Sequence, residues 1–450
     1  MSSSAGPSPS PMNLWSVTAI GIGAMVGAGI FALLGEAAVA AGRATFVAFL
    51  LGGVVAQLSG YSYARLAARY PDAGGISTYL DAGFGPGRLS GTVSIMFLLV
   101  LAAAIALVAK AFGAYAASLF LGTTSPFWVD LLATAIVVAL VALNAGNEAA
   151  VGKVEMALVG IKLVILVVLA VAGFTAMVGK PTVEHPGPGF VGLVDTVGLT
   201  FLAYAGYGMM TNAAASVARP QVTIPRAIFL AITTVMVLYV VLSIVVVGSL
   251  TPAELQKYAG TAVAEAARPV LGHTGFVVVA IGALLATASA INGTAYGMMQ
   301  MSTALAQTGH LPRMFGVPLW GGCTRGMALS VVALLAVMNT FNLNALAHIV
   351  SATFLIAYLA VHVAHWRVLD QTGGSRLLVG IGILAMAIVL AMFLWSTAAT
   401  QPWSFAVIAA FVVGSWLTQL VLIRPSAHRP PAHRPSAHPP SAHPPSARPS

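Results

Sequence analysis

Residues 21–31 read GIGAMVGAGIF, a stretch with four glycines in its first nine positions. It lies inside a long apolar segment, residues 13–41, where each glycine costs a helix about 1 kcal/mol relative to alanine. One interpretation is close packing through small residues spaced four apart, for which Gly23 and Gly27 qualify. The other is a helix broken near its middle, whose free N–H groups face an anion while the first half offers carbonyls to a cation. Two such ends together fit a zwitterion.

The composition is that of a membrane protein. Of the 450 residues, 59% are hydrophobic and only 7% are charged, far below the charged content of about 25% in soluble proteins. This excludes a soluble enzyme. Apolar stretches of about 20 residues recur between Asn13 and Ile423, each long enough as a helix to cross about 30 Å of hydrocarbon. They do not alternate as barrel strands would, so the sequence predicts an all-α polytopic membrane protein with about twelve transmembrane helices.

The predicted segments, numbered one to twelve, cover residues 13–41, 44–68, 87–113, 126–145, 149–178, 192–217, 226–250, 271–306, 326–342, 344–367, 376–398 and 402–423. Residues 70–85 read as an inner re-entry or short helix. Residues 251–269 open with Thr-Pro-Ala-Glu, which predicts a short outer helix. We expect residues 1–12 to be disordered, with no removable signal peptide, because they lack Lys and Arg and lead into a long helix.

The net charge of +9 follows membrane topology and does not indicate a nucleic-acid partner. With the N-terminus inside, fourteen basic residues fall on the inner side and four on the outer side. The inner residues are Arg65, Arg69, Arg88, Lys153, Arg219, Arg226, Arg313, Arg325, Arg367, Arg376, Arg424, Arg429, Arg434 and Arg448, and the outer ones are Arg43, Lys180, Lys257 and Arg268. This distribution predicts that both termini are cytoplasmic.

Residues 424–450 repeat Ser-Ala-His-Pro-Pro-like pentads, in which histidines recur every five residues. Proline at this density prevents a packed helix, so we expect a disordered cytoplasmic tail. A solvated tail without a transport role is one interpretation, and binding of metal or acidic lipid is the other. The five-residue spacing suits no closed metal site, and we expect neither a metal nor a cofactor. The lone Cys323 excludes an intramolecular disulfide.

A second glycine-rich interruption, FLAYAGYG at residues 201–208, lies in segment six. Paired interrupted helices, one in each half of a chain, indicate a transporter site between inverted repeats. We therefore predict a transporter domain over residues 13–423 with discontinuous segments one and six. Repeat one covers residues 13–178, repeat two covers residues 192–367, and two extra helices occupy residues 376–423.

Lys162 lies deep inside segment five, about 14 residues or ~20 Å from its start, which is too far for easy snorkelling to the surface. Charge inside a membrane is costly and indicates a functional site. A structural lysine paired with a carbonyl is the alternative. Because burial disfavours the charged form of a lysine, such a group can exchange a proton, and proton coupling is our hypothesis. We interpret His362 and His365 as an interfacial pair, not as a metal site.

These residues resemble the amino acid-polyamine-organocation (APC) superfamily of transporters, which has a five-plus-five inverted-repeat, LeuT-like fold. The resemblance rests on GIGAMVGAGIF, YPDAGGISTYL, GFGP, VGIKLVIL, FLAYAGYGMMTNAAASVARPQVTIPRAI, SAINGTAYG and LAQTGHLPRMF, in consistent order from residue 13 to about residue 320. Within the superfamily the chain is most similar to prokaryotic proton-coupled, broad-specificity amino acid transporters.

The resemblance implies a site made mostly of backbone. The substrate carboxylate would be received by the N–H groups of Gly27, Ala28 and Gly29. The substrate amino group would be received by carbonyls at Met25, Leu202 and Ala205, with Gly206 in the same stretch. Lys162 matches a lysine that replaces the sodium ion of other relatives. Its ammonium would bridge the Gly23 carbonyl and the Ser289 hydroxyl.

The chain departs from the superfamily pattern at several positions. Many relatives have an acid where Gly208 stands, and others have paired acids where Ala215 and Ser216 stand. Leu202 replaces a residue that is often aromatic. Without an acid in this motif, the resemblance implies small neutral amino acids as substrates. Tyr204 and Tyr207 are candidate pocket walls, with helix packing as the alternative.

The leading hypothesis is a secondary transporter that takes up neutral amino acids with protons across the inner (plasma) membrane by alternating access. Its partners would be the amino acid, protons and the lipid bilayer. An exchanger without net proton coupling and a transporter-like nutrient sensor remain as alternatives. An ion channel is a third alternative, disfavoured because broken helices at mid-membrane form a closed site and not a pore lining.

Overall fold

The computed structural model of the chain describes residues 12–71, 75–144, 151–177, 189–307, 309–320 and 323–422, together with residues 183, 185 and 187. Long helices follow the order of the predicted segments and are labelled accordingly. They are α1 (Leu14–Ala41), α2 (Thr45–Arg69), α3 (Arg88–Ala116), α4 (Pro126–Asn144), α5 (Val151–Met177), α6 (Phe190–Tyr204), α7 (Pro220–Ser249), α8 (Arg268–Gln307), α9 (Arg325–Thr340), α10 (Leu343–Arg367), α11 (Arg376–Thr400) and α12 (Pro402–Leu422).

The prediction of an all-α polytopic membrane protein is confirmed. Within the described residues, 10 helical stretches are long and apolar enough to cross a membrane. One of them, Gly29–Arg69, contains the end of α1 and all of α2, since only the 3₁₀ turn Gly42–Ala44 separates these helices. Shorter apolar helices, Leu14–Gly27 and Arg325–Thr340, account for the rest of α1 and for α9. All twelve predicted segments therefore correspond to helices.

Short elements connect the long helices. The helix Ile76–Phe84 lies in the predicted re-entry between α2 and α3. A small antiparallel hairpin, β1 (Pro318–Trp320) and β2 (Cys323–Thr324), precedes α9. Of the predicted disordered N-terminus only Met12 is described, and its N–H donates to the Ser216 carbonyl at 2.9 Å. The predicted tail, residues 424–450, lies outside the described residues.

The predicted short helix between α7 and α8 is present as Pro252–Lys257, followed by the 3₁₀ turn Ala259–Thr261 and the helix Ala262–Glu265. Thr251 caps it: its hydroxyl accepts the Glu254 N–H at 3.3 Å, and its own N–H donates to the Glu254 carboxylate at 2.8 Å. The hydrogen bond from the Thr251 backbone holds the pKa of Glu254 below its usual range. These elements pack against α1.

Segment one differs from the prediction, because α1 is helical without interruption from Leu14 to Ala41. Its glycines serve close packing. A Cβ on Gly27 would lie 2.8 Å from the Ala290 Cβ of α8, and one on Gly29 would lie 2.5 Å from the Ala203 carbonyl oxygen of α6. The glycine-rich sequence fits both a break and a tight contact, and in this structure it makes the contact.

Segment six does change its winding where the sequence predicts an interruption. Helix α6 ends at Tyr204, and the chain continues as 3₁₀ turns over Ala205–Ser216. Runs of 3₁₀ helix longer than three or four residues are uncommon, and inside a longer helix they often mark a functional hinge. The break therefore falls within FLAYAGYG.

Helices five positions apart in the chain pack against each other, namely α1 against α6, α2 against α7, and α3 against α8. Helix α10 packs on α3, and α7 also packs on α1. By contrast, α4, α11 and α12 expose most of their apolar side chains, as a lipid-facing surface requires. The boundaries of the inverted repeats stay a prediction.

The short elements between α7 and α8 approach α1 closely at Gly35, which can be tested by substitution. A Cβ at Gly35 would overlap the Ala259 backbone carbonyl, whereas one at Gly414 of α12 meets no atom within 4 Å. We expect Gly35→Ala to destabilise the purified protein, since overpacking costs about 1–3 kcal/mol. Gly414→Ala should leave the thermal unfolding midpoint in detergent equal or higher, because alanine favours helix. Equal midpoints for the two variants would contradict the packing described.

Candidate functional site

Lys162 joins α5 to α1 in the interior of the helix bundle. Its Nζ donates to the Gly23 carbonyl oxygen at 2.7 Å, and its side chain is buried. The residue is eleven positions after Val151, or roughly 17 Å along α5. Val159, on the same face of α5, packs on Gly23 so closely that a Cβ there would lie 2.5 Å from the valine Cγ2. The glycine thus lets α5 approach near enough for the ammonium to reach the carbonyl.

The crossing of α1 and segment six contains most of the predicted substrate residues, and here the two helices touch directly. A Cβ on Gly206 would lie 2.6 Å from the Met25 backbone nitrogen, and Gly29 is equally close to Ala203. The backbone of Ala28 continues α1, but its side chain lies outside what the structure describes. A ligand held between these backbones therefore requires the two helices to separate.

Two carbonyls of the crossing already accept hydrogen bonds from tyrosines that the sequence analysis did not single out. The Tyr239 hydroxyl of α7 donates to the Met25 carbonyl at 2.8 Å, and the Tyr358 hydroxyl of α10 donates to the Ala205 carbonyl at 2.7 Å. Both tyrosines are buried. Since a carbonyl oxygen has two lone pairs, an ammonium group can share or replace these donors.

Tyr204 and Tyr207 point their hydroxyls at α2. Tyr204 donates to the Phe49 carbonyl at 2.8 Å and Tyr207 to the Ser59 hydroxyl at 2.6 Å. Both side chains are fully buried, so they fasten segment six to α2 in the manner of the helix-packing alternative. Leu202 is half-buried and packs on the hydrophobic core.

The remaining candidates lie on α8 and α10. Ser289 is buried on α8, as is Thr287, whose hydroxyl returns to the Ala283 carbonyl of its own helix at 2.7 Å. His362 bonds to its own helix through the Tyr358 carbonyl, and His365 contacts the Thr372 hydroxyl at 3.0 Å. No group of three potential metal ligands occurs in the part of the chain that the structure describes.

Comparison with known proteins decides the family. The sequence model described as amino acid permease matches residues 12–420 of the chain. The chain belongs to the amino acid permease family, within the APC superfamily.

Several curated proteins are similar over most of their length to this amino acid permease. Inner membrane transport protein YbaT of Escherichia coli K12 is 43% identical over 92% of this chain and 95% of its own. A protein of Methanocaldococcus jannaschii is 32% identical over 91% of this chain and 94% of its own. The methylthioribose transporter of Bacillus subtilis is 25% identical over 78% and 80%, respectively. The chain is therefore a multi-pass membrane transporter.

The structure also gives a reason why this permease has no acid at position 208. A Cβ on Gly208 would lie 2.7 Å from the Tyr358 hydroxyl and 3.7 Å from the Tyr63 ring. Those two rings and Tyr207 form one buried aromatic group, with centroids 4.9 to 5.6 Å apart. Tyrosine side chains thus occupy the space that an acidic side chain would need. Ser216 is exposed, and the Ala215 side chain lies outside the described residues.

Sequence reasoning missed a buried polar cluster of this permease. Glu36 of α1, Asp195 of α6 and His348 of α10 are all buried, with Ser396 of α11 beside them. His348 Nε2 lies 3.1 and 3.2 Å from the two Asp195 oxygens, and the Ser396 hydroxyl donates to Asp195 at 2.8 Å. The signal was present in the sequence, since acids and histidines inside predicted spans are costly and indicate function.

The direct contact between α1 and segment six predicts that Gly206→Ala impairs transport. The new methyl group would collide with the Met25 backbone, which cannot move as a side chain can. A destabilisation of about 1.4 kcal/mol lowers the ratio of closed to open crossing about tenfold, so we expect initial uptake to fall by up to about tenfold.

Gly293→Ala on α8 is the matched control, because a Cβ there meets no atom within 4 Å. The measurement is uptake of a labelled amino acid by cells, normalised to the amount of permease in the membrane. Uptake by Gly206→Ala equal to that of Gly293→Ala would show that the crossing need not close.

Proposed function

We propose that this permease takes up small neutral amino acids together with protons across the inner membrane, by alternating access at the crossing of α1 and segment six. Both termini would lie in the cytoplasm. The hydrogen bond from Lys162 to the Gly23 carbonyl carries the proposal, because it places a titratable cation on the helix that lines the site. The family and the name of the Escherichia coli relative support the membrane and the transporter class.

Proton coupling follows from what the lysine does when it changes charge. As an ammonium it donates a charge-assisted hydrogen bond, the stronger class, to an α1 carbonyl. As a neutral amine it keeps only a weaker donor and loses its attraction for the carbonyl dipole. Release of the proton toward the cytoplasm would therefore loosen α1 from α5. Binding from outside would restore the contact.

Substrate chemistry follows from the groups at the crossing. Carbonyls of Met25 and Ala205 can receive an ammonium, for which the Tyr239 and Tyr358 hydroxyls would give way. N–H groups at residues 27–29 can receive a carboxylate only if α1 opens there, because in the continuous helix they are engaged. Substrate binding would thus create the break that the sequence favours, at the cost of helical hydrogen bonds.

Neutral substrates are favoured because Asp195, the buried acid of α6, is occupied elsewhere. Asp195 is seven residues before Leu202, about 10 Å along α6, and is bound to His348 and Ser396. Segment six itself presents glycine, alanine and tyrosine at the crossing. A free carboxylate to recognise arginine or a polyamine is therefore not part of the proposed site.

Purified protein in liposomes should accumulate labelled alanine when the outside is more acidic and sodium is absent. A gradient of one pH unit supports up to about tenfold accumulation for one proton per substrate, because a tenfold ratio corresponds to about 1.4 kcal/mol. A protonophore should abolish it. Uptake insensitive to the gradient would contradict proton symport. Uptake of methylthioribose in preference to alanine would overturn the substrate class.

Lys162→Ala should reduce that accumulation ratio from about tenfold to about one, since the titratable contact with α1 is removed. The measurement is the same liposome assay on variants with equal protein content and thermal stability.

The matched control is Lys110→Gln combined with Asp130→Asn. Lys110 and Asp130 form an ion pair between α3 and α4, so the double variant removes an intramembrane lysine without leaving an unpaired charge. This control should retain accumulation. Full accumulation by Lys162→Ala would remove the proposed role of Lys162.

A further inference from the structure

The buried cluster of Glu36, Asp195 and His348 lies away from Lys162, at the other end of α1. Glu36 is near the C-terminal end of α1, Asp195 near the start of α6 and His348 near the start of α10. All of these ends are predicted to be external. The cluster therefore joins α6 to α10 and α11 by hydrogen bonds, with Glu36 of α1 buried beside His348.

The surroundings of His348 require a proton between it and Asp195. Its Nδ1 lies 2.9 Å from the Asn344 carbonyl oxygen, which can only accept, so Nδ1 carries a hydrogen. Its Nε2 faces both oxygens of Asp195, one of which also accepts from Ser396. Neutral imidazole has a single N–H, so the remaining contact needs either an imidazolium or a protonated acid. Either way the pair holds one proton and has no net charge.

Glu36 adds a second carboxyl to this neutral pair. Glu36 is buried, α1 contacts α10, and the Glu36 carboxyl lies near enough to His348 and Asn344 of α10 to interact with them electrostatically. Among the described residues, Lys110 is paired with Asp130 and Arg268 is paired with Glu265, so neither of these cations is paired with Glu36. An ionised Glu36 therefore gives the cluster a net charge of −1 in the bundle interior, and one proton removes it.

Other titratable groups on the packed helices have partners of their own. Toward α1, Tyr239 donates to Met25, Tyr115 of α3 to the Phe31 carbonyl and Lys162 to Gly23. Along α10, His362 and His365 are at least 14 residues beyond His348, about 21 Å away. The Phe393 ring of α11 stacks on His348, with centroids 5.3 Å apart, and closes that side without a charge.

We propose that Glu36, Asp195 and His348 form a second proton-binding site of the transport cycle, which takes one proton from the external side and then fastens the outer ends of α1 and α6 to α10. Loss of that proton leaves a buried negative charge, which favours exposure to water and so opens the external side. Proton binding from outside thus favours closure over the substrate. The inference rests on the proposed proton-coupled uptake and specifies where its proton enters.

The first test does not need transport. Infrared difference spectra of the purified protein, titrated between about pH 5 and pH 8, should show the carbonyl stretch of a protonated carboxylic acid that disappears as pH rises. Glu36→Gln should remove this band, while the double variant Lys110→Gln with Asp130→Asn should keep it. A titrating band that persists unchanged in both Glu36→Gln and Asp195→Asn would overturn the proposal, as would the lack of any titrating band in the wild type.

The second test uses exchange of labelled for unlabelled alanine in liposomes with equal pH on both sides. Glu36→Gln mimics the protonated acid, so its exchange should depend less on pH than that of the wild type, with Lys162 still able to titrate, and its gradient-driven accumulation should fall about tenfold. Ser396→Ala keeps every charge but removes a donor to the Asp195 carboxylate, so the midpoint of the pH dependence should move to higher pH. Wild-type pH dependence in both variants would refute the proposed proton-binding role of the cluster.

The two tests distinguish the proposed transport function from the proposed proton-binding site. If wild-type protein moves no amino acid but the infrared band titrates and depends on Glu36, the proposed function fails and the proton site stands. If transport is proton-coupled but neither the band nor the pH dependence involves the cluster, the proton site fails and the proposed function stands.

Discussion

Hydrogen bonding of the backbone inside the helix bundle is the constraint on which the rest of this permease depends. No water is available in hydrocarbon, so each peptide group that leaves a regular helix needs another partner. The structure supplies such partners at the crossing of α1 and segment six. Lys162, Tyr239 and Tyr358 each donate to a carbonyl there. These side chains make it feasible for the two helices to change winding without leaving bare peptide groups.

Close packing of α1 against segment six is a second constraint, because it limits the space for a ligand. Gly29 and Gly206 let the backbones of α1 and segment six touch, so the same residues that offer peptide groups to a ligand also close the space for it. Entry of a small molecule must replace backbone contacts with ligand contacts, and the 3₁₀ stretch Ala205–Ser216 is the part of segment six already departing from α-helical winding. A site of this kind couples binding to helix movement through packing alone.

The order and number of helices could be predicted from sequence because each span is a continuous apolar run bounded by polar connections. Whether the helix is continuous or interrupted inside a span could not be predicted from sequence. Glycines at residues 21–31 lower helix propensity whether they form a break or a contact, and only the distances to Ala203 and Ala290 distinguish these outcomes. The cluster of Glu36, Asp195 and His348 was missed for another reason. Its members are more than 150 residues apart and converge only when α1, α6 and α10 pack.

Polar groups of other helices act on α1 at two points that differ in kind. In its first half, the Gly23 carbonyl accepts a hydrogen bond from Lys162 of α5, and 13 residues later, about 20 Å along the axis, Glu36 lies buried beside His348 of α10. If both attachments depend on protons, their combined state decides which end of α1 is free. When one end is attached and the other is free, α1 can pivot about its glycine contact with α6. A proton entering at Glu36 and leaving at Lys162 would then drive the two ends in sequence, as alternating access requires.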